Sequence, residues 1–291
     1  MEKDQIIILE NRGLISVTGE DAKDYLQNII TNDIHKVSNS NSIFAALLSP
    51  QGKYLFDFFV IKDQEGYLLD CEGSSSKELI NNLSKYKLRS KVEIKDLTAN
   101  YVVGIVNFEN FKSLQKELNI EESTLRYGES PVFIDPRDSD LGARIISPLE
   151  KLYLTIKKLN LKIVENKSYL EKGFLKGIPI EGLNNLQNQL FGLEINFEKL
   201  NAIDFKKGCY VGQENTARMK LKNKIRRQLM SIKTEKNVKI GDEIKYNDSV
   251  IGRILIDKPY PFALIKLFDP EFSEFKDKKL KINSNNVEIV S

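Results

Sequence analysis

The densest chemistry in the chain lies in the thirteen residues Lys206-Lys207-Gly208-Cys209-Tyr210-Val211-Gly212-Gln213-Glu214-Asn215-Thr216-Ala217-Arg218. A thiol, an amide, a carboxylate and several cations sit there with two glycines. Gly208 and Gly212 let the backbone turn sharply around Cys209 and leave its thiol uncrowded. Lys206, Lys207 and Arg218 are close enough in sequence to favour the thiolate, the form that attacks electrophiles and binds soft metals. From Gly212 onward, Gln213, Glu214, Ala217, Arg218, Met219 and Lys220 are good helix formers. A helix starting there would bring its positive end towards the thiol. Two readings of Cys209 stay open on these residues: a reactive or metal-binding thiol, and a small buried hydrophobe.

A second signal is Asp57, the one charge in the run Tyr54-Leu55-Phe56-Asp57-Phe58-Phe59-Val60. Strand alternation puts Leu55, Asp57 and Phe59 on one otherwise apolar face. The carboxylate is then either on the wet side of a half-buried strand or a paired buried charge. Asn32 and Asp33 read as turn residues after a helix. Arg89 is either solvated or a clamp for a carboxylate. Arg137 and Arg144 flank the turn Asp135-Pro136-Arg137 and read as a surface salt-bridge cluster. Cys71 ends a strand and reads as structural. His35 lies in a polar loop and reads as exposed and inert. The basic run Lys220, Lys222, Lys224, Arg226 and Arg227 reads as a solvated face and linker.

Composition narrows the classes. The 291 residues are enough for two or three domains, and 41% hydrophobic with 29% charged residues is the balance of a globular chain. A net charge of +3 argues against direct nucleic-acid binding while leaving room for a local basic groove. Two cysteines suit a reducing compartment and no disulfide framework. The single histidine excludes His-rich zinc sites and leaves His35 as the only base for a Ser-His-Asp triad. No glycine-rich phosphate cradle is present. The apolar run in the first ten residues is too short for a signal peptide or membrane span, so a cytoplasmic protein with no membrane partner is expected.

The elements that must position these groups follow from periodicity. Ile6–Leu9 and Gly13–Val17 read as strands around an Asn11-Arg12-Gly13 turn. A helix follows, with Thr18 and Asp21 as capping-box partners and Ala22, Tyr25, Leu26 and Ile29 as its buried stripe. Ile43–Ser49 and Lys53–Lys62 form a hairpin through Pro50-Gln51-Gly52, and Tyr67–Cys71 adds a third strand. Ser76 caps a helix bearing Leu79, Ile80, Leu83 and Tyr86. Further strands are expected over Val92–Ile94, Leu97–Asn107, Pro131–Ile134 and Leu141–Ile146. Helices are expected over Phe111–Leu118, Pro148–Leu159 and Lys167–Leu175, with a loop over Glu181–Asn196. This succession is that of an α+β layer with antiparallel strands. Beyond the basic run, six short strands at Gln228–Ile232, Glu243–Tyr246, Val250–Ile256, Ala263–Leu267, Leu280–Ile282 and Val287–Val290 spell a small antiparallel barrel.

Lys207-Gly208-Cys209-Tyr210 followed by Gly212-Gln213-Glu214 resembles the signature of the YgfZ family. Other pieces resemble that family in the same order: Gly19-Glu20-Asp21-Ala22 with Tyr25-Leu26-Gln27 and Thr31-Asn32-Asp33, then Ser49-Pro50-Gln51-Gly52-Lys53 with Asp57. Tyr86-Lys87-Leu88-Arg89-Ser90-Lys91-Val92, Asp135-Pro136-Arg137, Leu141-Gly142-Ala143-Arg144 and Gly177-Ile178-Pro179 complete the match. The resemblance runs from Gly13 to the C-terminus. It implies an α+β, aminomethyltransferase-like folate-binding fold: two α+β subdomains and a small C-terminal antiparallel β-barrel around a central cavity. Residues 1–225 would form the folate-binding region, with a subdomain over 45–145 inserted, and 226–291 the barrel.

The resemblance also implies a function. Family members bind tetrahydrofolate or a one-carbon derivative and support assembly or repair of iron–sulfur enzymes, with effects on tRNA modification. The implied partners are folate and iron–sulfur carrier or client proteins. Cys209 would be a reactive thiol or a shared ligand to a transient cluster, because one cysteine cannot supply the roughly four ligands a cluster needs. The implied folate-site residues are Asp57, Asn32, Arg89, Arg144, Lys207, Gly208, Gln213, Glu214 and Arg218. Asp57 would serve the pterin edge, and Arg89, Arg144 or Arg218 the glutamate tail. Two other classes compete. A folate-dependent aminomethyltransferase is disfavoured because the T-protein's paired aspartates are reduced here to Asp57, with Phe56 in the other place. A non-catalytic tRNA-binding module rests only on the basic run.

Overall fold

A computed structural model describes residues 1–222, 225–283 and 285–290. Two compact units divide the chain: Met1–Leu48, Leu55–Tyr169 and Lys199–Val211 form the first, and Ser49–Tyr54, Leu170–Glu198 and Gly212–Ser291 the second.

The first unit is α+β and contains two sheets. Its strands are β1 (Gln5–Leu9), β2 (Arg12–Thr18), β3 (Ile43–Leu48), β4 (Tyr54–Asp63), β5 (Gly66–Glu72) and β6 (Glu93–Asp96). They continue with β7 (Val102–Val106), β8 (Thr124–Tyr127), β9 (Ser130–Ile134), β10 (Ala143–Ser147) and β11 (Lys162–Val164). One sheet runs β3-β4-β5-β2-β6 and the other β11-β1-β7-β10-β9-β8. Helices α1 (Ala22–Ile29) and α2 (Ser76–Lys87) share a core with the first sheet. Helices α3 (Phe108–Leu118) and α4 (Leu149–Lys158) share one with the second.

The helical stripe of α1 is the expected one: Ala22, Tyr25, Leu26 and Ile29 are all buried. Each fully buried aliphatic side chain of this kind contributes about 1.5–3 kcal/mol, so Leu26→Asp would undo the contact. The expected caps are different. Asp21 precedes α1 without a capping side-chain bond, and its carboxylate accepts the Lys91 backbone N–H at 2.7 Å. Ser76 lies inside α2, and Ser75 in front of it makes no side-chain cap.

Other expectations were local, and pairing changed them. β1 and β2 follow one another around a turn but belong to different sheets, β1 against β7 and β11, β2 against β5 and β6. A turn signal reverses the chain without choosing its partner. The strand expected over Leu97–Asn107 is a single helical turn at Thr98–Asn100 and then β7. β8 and β11 are short strands that periodicity missed. β10 begins after Gly142, whose φ is +93° and where a Cβ would lie 2.2 Å from Val106 O, which excludes any side chain.

In the second unit, α5 (Lys167–Leu175) runs in from the first and α6 (Gln213–Leu221) follows later. All six expected barrel strands are present: β12 (Arg227–Thr234), β13 (Glu243–Tyr246), β14 (Ser249–Ile256), β15 (Phe262–Lys266), β16 (Leu280–Ile282) and β17 (Asn285–Ile289). They close in the order β12-β15-β14-β13-β16-β17, every pair antiparallel. Closure removes the sheet edges that so small a unit would otherwise expose. Alternate residues fill the inside, among them Ile232, Ile244, Ile254 and Ile265. A short helix, α7 (Phe272–Phe275), adds Phe275 to that core and was not foreseen. The Glu181–Asn196 segment is loop-like as expected, yet Glu194 fastens it by accepting from Arg227 Nε and Nη2 at 3.0 and 2.8 Å.

Candidate functional site

Cys209 is exposed, on a loop whose neighbours are tied down. The ties begin with residues 31–36. Thr31 Oγ1 donates to Ala202 O at 2.6 Å, and Asp204 N donates to Thr31 O at 3.1 Å. Lys36 pairs with Asp204 at 2.7 Å. Asn32 Nδ2 donates to Phe44 O and Asn201 O, both at 2.8 Å, while its Oδ1 accepts Asp33 N. Asn32 is thus a buried strut and more than a turn residue.

Lys207 extends the series. Its ammonium donates to Gln27 O, Ile30 O and Asn32 O at 2.7, 2.6 and 3.0 Å. These are carbonyls of the last turn and exit of α1, where the helix leaves acceptors without intrahelical partners and its dipole is negative. The three donors of an ammonium are all used. Burial draws the Lys207 pKa down to about 8, with Asp33 and Asp204 opposing the fall. Tyr210 is buried beneath the same ammonium, 5.1 Å from ring centre to Nζ. Lys207 and Tyr210 therefore face inward while Gly208 and Cys209 between them face out. A Cβ built on Gly208 would meet nothing within 4 Å.

In the second unit, Gly212 stands at the N-cap of α6 with φ +81°. Gln213 and Glu214 open that helix, and Glu214 pairs with Arg218 one turn on at 2.5 Å, both exposed. Asn215 Nδ2 donates to Gln51 O at 2.8 Å. Of the basic run, Lys220 pairs with Glu198 and Arg227 with Glu194, whereas Lys224 lies outside the described residues.

Asp57 is half-buried on β4, next to the buried Phe56. Its charge is felt at Arg137 and at Cys71. Arg137 and Arg144 are not the surface cluster that a turn between two cations suggests; both are buried. Arg144 Nε donates to Asp70 Oδ2 at 2.9 Å, and Arg12 Nε to Asp70 Oδ1 at 2.6 Å. Arg137 grips Asp135 through Nε and Nη2 at 3.0 and 2.7 Å. Tyr169 OH accepts from both Arg137 and Arg144. The two guanidinium groups lie over the Phe59 ring, 4.9 and 4.3 Å from its centre. Burial works against the Asp70 charge, but Arg12 and Arg144 outweigh it and lower the pKa. Asp70 escaped notice in the sequence, although a carboxylate flanked by Leu68, Leu69 and Cys71 carries the same signal as Asp57.

Arg89 is exposed in the segment after α2. Cys71 is buried beside Asp70, and burial pushes its thiol up to about 12, which makes it inert. His35 is exposed and bonded to Asp33 at 2.9 Å. Among the described residues, no three His, Cys, Asp or Glu side chains gather as a metal site, and no helix is long and apolar enough to cross a membrane.

Comparison with known proteins adds family evidence. The GCVT N-terminal domain model matches residues 5–107. The tRNA-modifying protein YgfZ of Buchnera aphidicola is 32% identical, over 83% of this chain and 77% of its own length. An iron–sulfur cluster assembly factor IBA57 homologue, mitochondrial, from Dictyostelium discoideum is 29% identical over 82% of this chain. The chain spans 65% of that relative's length and 60% of a Neurospora crassa counterpart's. Aminomethyltransferase T of the glycine cleavage system from Bartonella henselae shares the fold, with a TM-score of 0.74 over 99% of this chain and 85% of its own, at 13% identity. The IBA57 relatives are mitochondrial by name, and they overturn the expectation of a cytoplasmic protein. That expectation rested on the composition of the first residues, which does not determine a compartment.

Proposed function

The chain belongs to the YgfZ/IBA57 family, and from that premise we propose that it is a folate-binding accessory factor for assembly or repair of iron–sulfur proteins. Effects on tRNA modification would arise through iron–sulfur client enzymes. The observation that carries the reading is an exposed thiol held on a loop with buried residues on either side. Such a thiol can meet another protein's thiolates. The cluster is cargo: Cys209 supplies one thiolate and a carrier or client the others, since no ligand set for metal exists among the described residues.

Tetrahydrofolate, when bound, supplies a pterin and a one-carbon carrier. Asp57 fits such a group, because a half-buried carboxylate on an apolar strand suits the paired donors of a pterin edge. Arg89, in the same unit, is an exposed cation for the glutamate tail, whereas Arg218 belongs to the second unit and is paired with Glu214. Arg144, Asn32 and Lys207 fit less well, as their donors already serve protein acceptors. Phe56, buried where an aminomethyltransferase carries its other aspartate, speaks against one-carbon transfer as the activity.

The test is complementation in cells lacking their own family member, read as the activity of radical iron–sulfur enzymes. Cys209→Ala is expected to fail; full activity of that variant would remove the thiol's role. In parallel, calorimetric titration with tetrahydrofolate is expected to show binding that Asp57→Ala weakens at least tenfold. Equal affinity in the variant would end the pterin assignment.

A further inference from the structure

We propose that Lys207 is a positioning residue, which clamps the Cys209 loop to the exit of α1 so that the thiol is presented in one conformation. This rests on the reading of Cys209 as the functional thiol. The geometry is specific. Three carbonyls, two of them just beyond or at the end of the helix, converge within 3.0 Å of one nitrogen. A compact ammonium with three rotatable donors matches such a nest, whereas the flat fork of a guanidinium does not. The bond partners are 175 to 180 residues away in sequence, so the contact joins distant chain segments.

Helix capping alone does not account for the arrangement. Any nearby donor would satisfy the end of α1, and water is one of the usual ones at helix ends. Here the donor comes from two residues before the thiol, and it completes a series of ties from Asn201, Ala202 and Asp204 onto residues 31 and 32. Tyr210, one residue after the thiol, is buried under the same charge. The loop is therefore held on both sides of Gly208 and Cys209. Holding it before a partner arrives removes ordering entropy that binding would otherwise have to overcome.

Lys207→Met keeps most of the unbranched side chain, one atom shorter, and removes its donors. We expect the full-length variant to melt cooperatively and the barrel amides to exchange as in the native protein. Amide hydrogen exchange over residues 206–210 should rise at least tenfold. In the complementation assay, at a temperature where the variant is folded, radical iron–sulfur enzyme activity should fall at least tenfold. Lys207→Gln, with two donors and no charge, should fall between the two in both readouts while the barrel amides again exchange as in the native protein, which a global loss of stability would not allow. Should Lys207→Met misfold, the Gln variant decides.

Native exchange over 206–210 in the variants, or faster exchange with undiminished maturation, would overturn the positioning role. Full activity of Cys209→Ala would instead sink the functional reading of the thiol, while the exchange data would still show whether Lys207 holds the loop.

Discussion

Asp70 on β5 and Arg144 on β10 meet between the two sheets of the first unit, Nε to Oδ2 at 2.9 Å and Nη2 to Oδ2 at 2.7 Å, with both side chains closed to solvent. Arg12 takes the other oxygen of the same carboxylate. The pair fastens one α+β layer to the other at a point where Phe59 stacks beneath the guanidinium. Arg144→Met would leave Asp70 with Arg12 alone and Tyr169 without one of its donors. Removing one partner of a buried pair costs about 3–5 kcal/mol, because the remaining charge stays desolvated. Urea unfolding of the variant is expected to show a loss of that size, and a loss below about 1 kcal/mol would mean that the pair is solvated.

The same carboxylate predicts a pH dependence. Burial raises the Asp70 pKa, but Arg12 and Arg144 outweigh it, and the folded value lies below the ordinary 3.8. As pH falls, the unfolded chain takes up this proton first. The stability due to Asp70 is therefore fully present above the unfolded value and is lost as pH drops through the folded one. Without Arg144 the folded value must rise, so the carboxyl carbon of Asp70 followed by NMR should titrate at higher pH in Arg144→Met than in the native protein. An identical titration in the two proteins would show that Arg12 alone sets the charge.

These two residues also mark how far the sequence could be read. Elements governed by local pattern were legible: the stripe of α1, the hairpin leading to Asp57 and all six barrel strands. Each depends on apolar periodicity and turn residues within a dozen positions. Pairing was not legible, since β1 and β2 flank one turn and diverge into two sheets through partners as far away as Lys162, which lies opposite Gln5. The fate of charges was hidden for the same reason. Arg144 looks like a surface cation beside a turn until Asp70, 74 residues earlier, is placed against it. Lys207 looked like a ligand group or a thiol activator, and only the folded chain brings three carbonyls to its nitrogen. At Cys209 the residues leave a reactive thiol and a small buried hydrophobe both open, and the fold, by exposing the side chain, removes the buried alternative.

The two thiols should behave oppositely. Cys209 is exposed, whereas Cys71 is about 1% exposed and has its pKa pushed up to about 12. With an aromatic disulfide reagent at pH 8, one thiol per native chain should react quickly and the second only after denaturation. The rate ratio should reach at least about a hundredfold, since the thiolate is the attacking form and Cys71 holds almost none. Cys209→Ala should abolish the fast phase. Two fast thiols would mean that the Cys71 environment opens readily.

Gly208 and Gly212 flank Cys209 and Tyr210 in one motif, yet the fold demands only one of them. Gly212 caps α6 at φ +81°, a conformation that costs an L side chain about 1–2 kcal/mol. Gly208 lies outside the left-handed region, and a Cβ there would meet nothing within 4 Å. Thermal unfolding should therefore separate them. Gly212→Ala should lose about 1–2 kcal/mol, while Gly208→Ala should be neutral or gain up to about 1 kcal/mol by restricting the unfolded chain. If bare backbone beside the thiol serves the approach of a partner protein, Gly208→Val should be as stable as the native chain, alkylate normally at Cys209 with iodoacetamide, and still fail in iron–sulfur maturation. A Gly208→Val protein that matures its clients at the native rate would show that neither fold nor docking requires glycine at this position.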